Sequence, residues 1–420
     1  MRRSFLLVLA LLFALAAASL HSASATTQGA AQASTTGITR TTIKLGATCP
    51  LTGPAASYGS ICRGMGAYYS FVNSRKGKDG KRGIGGRKII WKFYDDAYNP
   101  AQTVQMTNKL VLEDKVFAVV GSVGTEHNLA VRPFLNGRKV PQTLVSTGAS
   151  YWGLEYKKWP WTGGWQPDYI SEGRVYGKWI AKNAPNAKIA IFYQNDDYGK
   201  DYLKGVESGL GAKKSLIVSK EHYEATDSSY ASQIARQKIS GADTWVLLTT
   251  PVPTLRAIGT AKALAWKPDS IVINSVAATD AIMRAAEQSA GAAYVDGDIS
   301  TAYLKYPTSP KYKNDAAVKK FRRIMAKFAP GANPNDLFYY YGMAKAYDSV
   351  KLLYLAGKNP TRPSYRKATT RMDWVNPFTI KGVVTKTSAK DRFPLDQFKI
   401  IKYASATHTW TETGKLIKGR

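Results

Sequence analysis

Histidine and cysteine are scarce: the 420 residues include four of the first and two of the second. His21 falls in the N-terminal apolar region, and His127, His222 and His408 form no pair at the spacing a metal site needs, so no metal and no cofactor are expected. Acidic residues are also few, 29 against 59 Lys and Arg, for a formal charge of +30. That balance raises nucleic acid as a partner. The cations, however, are scattered through KGKDGKR (Lys76–Arg82), VKKFRR (Val318–Arg323) and LIKGR (Leu416–Arg420), outside any RNA-binding or zinc-finger motif. A solvated basic surface near an anionic envelope is the simpler reading, and no nucleic acid is expected. Catalytic signatures are missing too: there is no G-x-S-x-G elbow, no G-x-G-x-x-G after a strand and no G-x-x-x-x-G-K-[ST] loop. Asp95-Asp96 and Asp196-Asp197 each follow an apolar strand and read as caps for the next helix rather than as an acid/base couple. No enzyme is expected.

Long apolar runs are limited to one, at the start. Arg2 and Arg3 precede an apolar stretch from Phe5 to Ala18, followed by Ala-x-Ala at Ala23–Ala25, which reads as a secretory signal peptide over residues 1–25. The alternative, an uncleaved anchor, fits less well because the run is short for a bilayer and leads into small residues. No cysteine sits near the cleavage site, so no lipobox is recognisable. The mature protein is expected to be exported, soluble and outside the cytoplasm, with a charge of +28 once Arg2 and Arg3 leave. What remains, about 395 residues, exceeds what one core usually holds, so two lobes are expected.

What the chain does have is alternation. Apolar, β-branched runs at Thr42–Ala47, Lys88–Tyr94, Val116–Val120 and Gln142–Val145 are separated by helix candidates at Arg63–Asn73, Pro100–Asp114 and Glu126–Asn136. After the aromatic segment Tyr151–Tyr169 a second series follows, with strands at Lys188–Tyr193, Leu216–Ser219, Trp245–Thr249 and Ile271–Asn274. Strands alternating with helices imply parallel βαβ units, here as two sheets of one plan with a cleft between them. Ala101, Val104 and Val111 are expected on one face of the helix that starts at Pro100. Tyr340, Met343, Tyr347, Val350 and Tyr354 predict a long amphipathic helix whose stripe is core. The pieces FTIKGVVT and FKIIKY after Pro377 suit sheet edges or hinge crossings.

The first strand runs into CPLTGPAASYGSIC (Cys49–Cys62), a Pro-, Gly- and Ser-rich loop at a strand's carboxyl end, where open α/β sheets bind ligands. In an exported chain Cys49 and Cys62 most simply form a disulfide; two buried free thiols or pairing between chains are the alternatives.

The succession IKLGATCPLTGPAASYGSICRGMGAYYSFVN, KFYDDAYNPAQTVQMTNKLV, FAVVGSVGT and VPQTLVSTGAS resembles the extracytoplasmic solute-binding proteins of ABC importers, in the leucine/isoleucine/valine-binding class. The similarity extends from about Thr41 to about Tyr403. It implies the type I periplasmic binding protein fold: α/β, two similar lobes, each a parallel sheet flanked by helices, joined by three hinge crossings. Residues 26–40 would then be a flexible N-terminal segment, 41–163 plus 302–378 the N-terminal lobe, and 164–301 plus 379–420 the C-terminal lobe. The resemblance also implies a small-molecule solute (an amino acid or small carboxylate), ABC permease transmembrane subunits as partners, and a monomer. By the same resemblance Tyr58 faces the ligand's side chain, Thr125 with Gly148, Ala149 and Ser150 holds a carboxylate, and Tyr198 covers the ligand on closure.

One departure bears on the ligand. The amino-acid binders commonly carry a glutamate for the ammonium where this chain has Val276, and Asp168 or Asp280 would be the nearest substitutes. Tyr58, Tyr98, Tyr151, Trp152, Trp165 and Tyr198 meanwhile supply rings near the expected cleft. An aromatic or other non-amino-acid carboxylate therefore competes with an aliphatic amino acid as solute. A ligand-sensing receptor domain of the same fold is a further alternative, disfavoured because the chain ends at Arg420 with no membrane helix or kinase-like extension.

Overall fold

A computed structural model describes residues 34–77 and 80–420. The expected signal peptide lies outside the described residues, as does 26–33 of the segment expected to be flexible. The rest of that segment is held: Ile38 bridges Ile43 in antiparallel fashion, and Lys44 donates its backbone N–H to Gly37 at 2.7 Å.

Four strands, β1 (Thr42–Cys49), β2 (Lys88–Asp95), β3 (Ala118–Val120) and β4 (Gln142–Thr143), form a parallel sheet in the order β2-β1-β3-β4. The second sheet is larger. Its parallel part is β5 (Ile189–Gln194), β6 (Ile217–Tyr223), β7 (Thr244–Leu248), β8 (Ser270–Ile273) and β9 (Ile299–Ala302). β10 (Asp373–Trp374) and β11 (Thr385–Lys386) make a small antiparallel pair apart from it. β12 (Gln397–Ala404) and β13 (Thr409–Lys418) then add antiparallel strands beyond β9, giving the order β13-β12-β9-β8-β7-β5-β6. The fold class is α/β, as expected, but the two sheets are unequal: the second has five parallel strands against four and also takes the C-terminal hairpin.

Helices cover both sheets, and three of them, Ala316–Phe328, Leu337–Leu355 and Arg362–Ala368, return to the first sheet after β9. Tyr69 donates to Ser349 at 2.9 Å across 280 positions, and Arg362 donates to the backbone carbonyls of Val116 and Phe117. The stretch 385–394, expected with the second lobe, packs on the first. Its Thr385 donates to Asp348, Thr387 to the carbonyl of Thr369, and the Phe393 ring fills the space beside Gly153.

Two helix expectations need correction. The helix from Pro100 buries Thr103 and Thr107, leaves Ala101 and Val104 exposed, and passes at Lys109–Glu113 into a π-turn that buries Leu110 and Val111. The wider turn shifts the phase of the face, so a strict 3.6 period misplaces it. The helix Leu337–Leu355 is buried on nearly every side, Lys345 and Asp348 included, while Tyr354 at its end is exposed. It is a central core helix and not an amphipathic one.

The helices Tyr169–Asn183 and Asp197–Leu210 touch backbone to backbone. A Cβ at Gly173 would stand 2.4 Å from the Tyr202 carbonyl oxygen, and one at Gly205 would stand 2.4 Å from that of Ile170. The sequences EGRVYG and KGVESG supply these glycines four apart on both helices. Only a residue without a side chain allows that approach, and it fixes the two helix starts, Tyr169 and Tyr198, beside each other.

Candidate functional site

A cavity lies between the sheets, and each sheet contributes its strand ends and following loops. From the first come Tyr58, Tyr98 and Thr125; from the second, Tyr198, Thr250 and Val276; the crossing segments add Gln166, Tyr303 and Tyr306. No carboxylate, lysine, arginine or histidine is among the lining residues.

The loop from Cys49 is built around Asp95. Its carboxylate accepts from the N–H groups of Leu51, Thr52 and Ala97 and from the Thr52 hydroxyl, the last at 2.6 Å. Asp96 accepts from Thr103 and from the Tyr98 N–H, and Asp196 caps the helix Asp197–Leu210 through the Gly199 N–H. Both carboxylate pairs organise turns and caps. A disulfide joins Cys49 to Cys62, with the Cα atoms 6.4 Å apart. The loop so held turns Tyr58 inward, where its ring meets Phe338 edge-on at 4.9 Å.

Thr125 opens the helix Thr125–Gly137, whose first N–H groups have no acceptor within the helix. Its hydroxyl lies 2.6 Å from that of Thr147. On the opposite wall Tyr198 donates to Asn274 at 3.3 Å and meets Tyr169 edge-on, while Tyr169 stacks on Tyr202 with centroids 4.5 Å apart. Val276 lines the cavity. Neither expected substitute reaches the cavity: Asp168 caps the helix Tyr169–Asn183 through Ser171, and Asp280 is held by Thr308 and Thr409. Glu172, a layer back, accepts from Tyr176 and from both the N–H and the hydroxyl of Ser275. Burial raises its carboxyl above the ordinary value.

Of the residues singled out in the sequence, Tyr58, Thr125 and Tyr198 line the cavity together with Tyr98, whereas Gly148, Ala149, Ser150 and Trp165 do not. Gly148 accepts from the Tyr169 N–H at 2.7 Å, and Ala149 packs with Val145 and Trp152. Ser150 gives its N–H to Asp201 across the cleft at 2.7 Å. Trp165 is fully buried, donates to Asp348 at 2.7 Å and packs edge-on to Tyr303 and Tyr341. Asp197 donates its N–H to Glu126, a second tie between the walls. Sequence reasoning missed Gln166, Tyr303 and Tyr306, and also Phe338 and Tyr341, whose aromatic density in LFYYYGM reads as core.

Residues 42–405 match the periplasmic binding protein family. A curated relative, "Leu/Ile/Val-binding protein homolog 3" of Brucella melitensis, is 27% identical over 206 residues, 48% of this chain and 52% of the relative, so the match spans about half the relative's length. The fold resembles a fatty acid ABC transporter substrate-binding protein from Thermomonospora curvata (TM-score 0.75, 21% identity, 91% of this chain and 94% of the other). It equally resembles a branched chain amino acid ABC transporter from Thermus thermophilus with bound valine (TM-score 0.75, 16% identity, 91% and 97%). With its two-sheet α/β architecture and a cavity between the sheets, the chain belongs to the periplasmic binding protein family.

Proposed function

We propose that this chain is the substrate-binding protein of an ABC importer and captures a hydrophobic or aromatic carboxylate that carries no ammonium group. One observation supports the solute class above the others: the cavity wall has hydroxyls, an amide and many rings but no carboxylate. An ammonium buried there would lose its hydration without a charged partner. A carboxylate would meet Thr125 at a helix N-terminus, where N–H groups and the helix dipole favour negative charge. The residues 41–163 with 302–378, and 164–301 with 379–420, would move as lobes, the stretch 385–394 travelling with the first. Solute touching both walls favours closure through its extra contacts. The closed, loaded form would dock on permease transmembrane subunits, as an exported monomer without enzymatic activity.

The test compares leucine with 4-methylpentanoate, its equivalent lacking the ammonium, by calorimetric titration, together with native mass spectrometry of protein purified without added solute. The carboxylate is expected to bind more tightly, and any retained solute to be an acid. Tighter binding of leucine would overturn the solute class and return the chain to the amino-acid binders.

A further inference from the structure

Lys345 is buried one layer behind the cavity, on the core helix Leu337–Leu355. No carboxylate pairs with it among the described residues, and burial alone governs its ammonium, holding it well below the usual lysine range. Asp348, one turn along the same helix, instead accepts from Trp165, Trp374 and Thr385. The Lys345 nitrogen sits over the ring of Tyr341 at 4.4 Å and that of Trp165 at 5.2 Å. It donates to two hydroxyls on the cavity wall, those of Ser146 and Tyr341, the latter at 3.1 Å.

When protonated, Lys345 has donors only, so the two hydroxyl oxygens it touches accept from it. Ser146 passes its own hydrogen to the Gly121 carbonyl at 2.7 Å. Tyr341 donates to Oε1 of Gln166 at 2.6 Å, which orients that amide with its NH2 toward the Tyr169 hydroxyl at 3.4 Å. Farther along the wall, Thr147 accepts the Ala149 N–H at 3.3 Å, and its hydroxyl lies 2.6 Å from that of Thr125. Bonds aligned in one direction polarise one another in a low-dielectric interior.

We propose that Lys345 makes this cavity select an anion: it stands directly behind Ser146 and Tyr341 of the wall with no carboxylate beside it, so a carboxylate bound against that wall stabilises its protonated form and is held by it in return. It is a positioning residue that determines specificity without touching the solute. This rests on the carboxylate reading above and adds the source of the charge preference.

The experiment titrates wild type, Lys345→Met and Tyr341→Phe with 4-methylpentanoate, octanoate, phenylacetate and 4-hydroxycinnamate, each beside its primary amide, and with leucine. Methionine keeps the length of lysine and removes the donors; Tyr341→Phe cuts the first link and keeps the charge. In wild type an acid should bind more tightly than its amide. Lys345→Met should weaken the acid by about tenfold, a change of about 1.4 kcal/mol, and leave the amide unchanged. Tyr341→Phe should lower the acid-to-amide ratio in the same direction, and it decides the matter if Lys345→Met does not fold. Wild type binding amide as tightly as acid, or variants keeping the wild-type ratio, would overturn the role of Lys345 alone. Wild type binding none of the acids would overturn the carboxylate reading itself.

Discussion

Asp201 accepts the backbone N–H of Ser150 at 2.7 Å, a bond that ties the carboxyl end of the first sheet to a helix of the second. Burial raises the Asp201 carboxyl to about 6 against this bond and that of the Ser150 hydroxyl, which lower it. In an open cleft the same group returns to water and to its ordinary value near 3.9. The closed form therefore takes up a proton as pH falls through about 6, and closure is favoured on the acid side of that value and penalised above it. Affinity for a carboxylate solute should rise by about tenfold between pH 7.5 and 5, given a partly exposed group. Asp201→Asn keeps an acceptor for Ser150 and should flatten that rise. An identical pH profile in the variant would count against the latch.

A second expectation separates ligand contacts from rim contacts. Thr125→Val removes a donor from the cavity and should weaken an acid about 10- to 150-fold. Val276→Ala removes apolar contact only, about 0.8 kcal/mol per buried methylene. Ser150→Ala should alter the pH profile more than the affinity at pH 5, because its bonds go to Asp201. Calorimetry on the three variants checks the order, and an order led by Val276 would defeat it.

The disulfide Cys49–Cys62 closes a short loop, and removing it as the Cys49→Ser, Cys62→Ser double variant should cost about 3 kcal/mol in the chain-entropy account. Urea unfolding with and without reductant measures this. Two alkylatable thiols in the unreduced native protein would show that the bond does not form.

Gly173→Ala drives a methyl group into the Tyr202 carbonyl. Overpacking of this kind costs about 1–3 kcal/mol, and the displaced helix carries Tyr169 with it. A drop in thermal midpoint together with weaker solute binding is expected; unchanged values for both would mean that the helix pair yields freely.

Much of the fold is legible in the sequence because each parallel strand is a short apolar run and each connection is a helix. β1, β2, β5 and β7 lie within a residue or two of where the sequence places them. β13, TWTETGKLIK, is missed because it is an edge strand whose Thr411, Thr413, Lys415 and Lys418 face water, the composition that blunts edges. The helix Ala316–Phe328 is hidden by its cations: VKKFRR reads as a basic run, yet Val318 and Phe321 are buried from it. At the site, Tyr58, Thr125 and Tyr198 were within reach because they follow strand ends. Gln166, Tyr341 and Lys345 were not, since they come from a crossing segment and the interior of a core helix, and only packing shows that the first two meet the cavity and the third stands behind it.

The return of the helices Ala316–Phe328 and Leu337–Leu355 to the first sheet sets an order on how this chain acquires its structure. The four strands of that sheet are complete by Thr143, but Tyr69 waits for Ser349 and the carbonyls of Val116 and Phe117 wait for Arg362. The second sheet in turn waits for β12 and β13 to cover the outer edge of β9. Contacts of such separation are slow to form. The two halves of the described chain therefore share their last packing steps: each core is completed by segments made after both sheets have most of their strands.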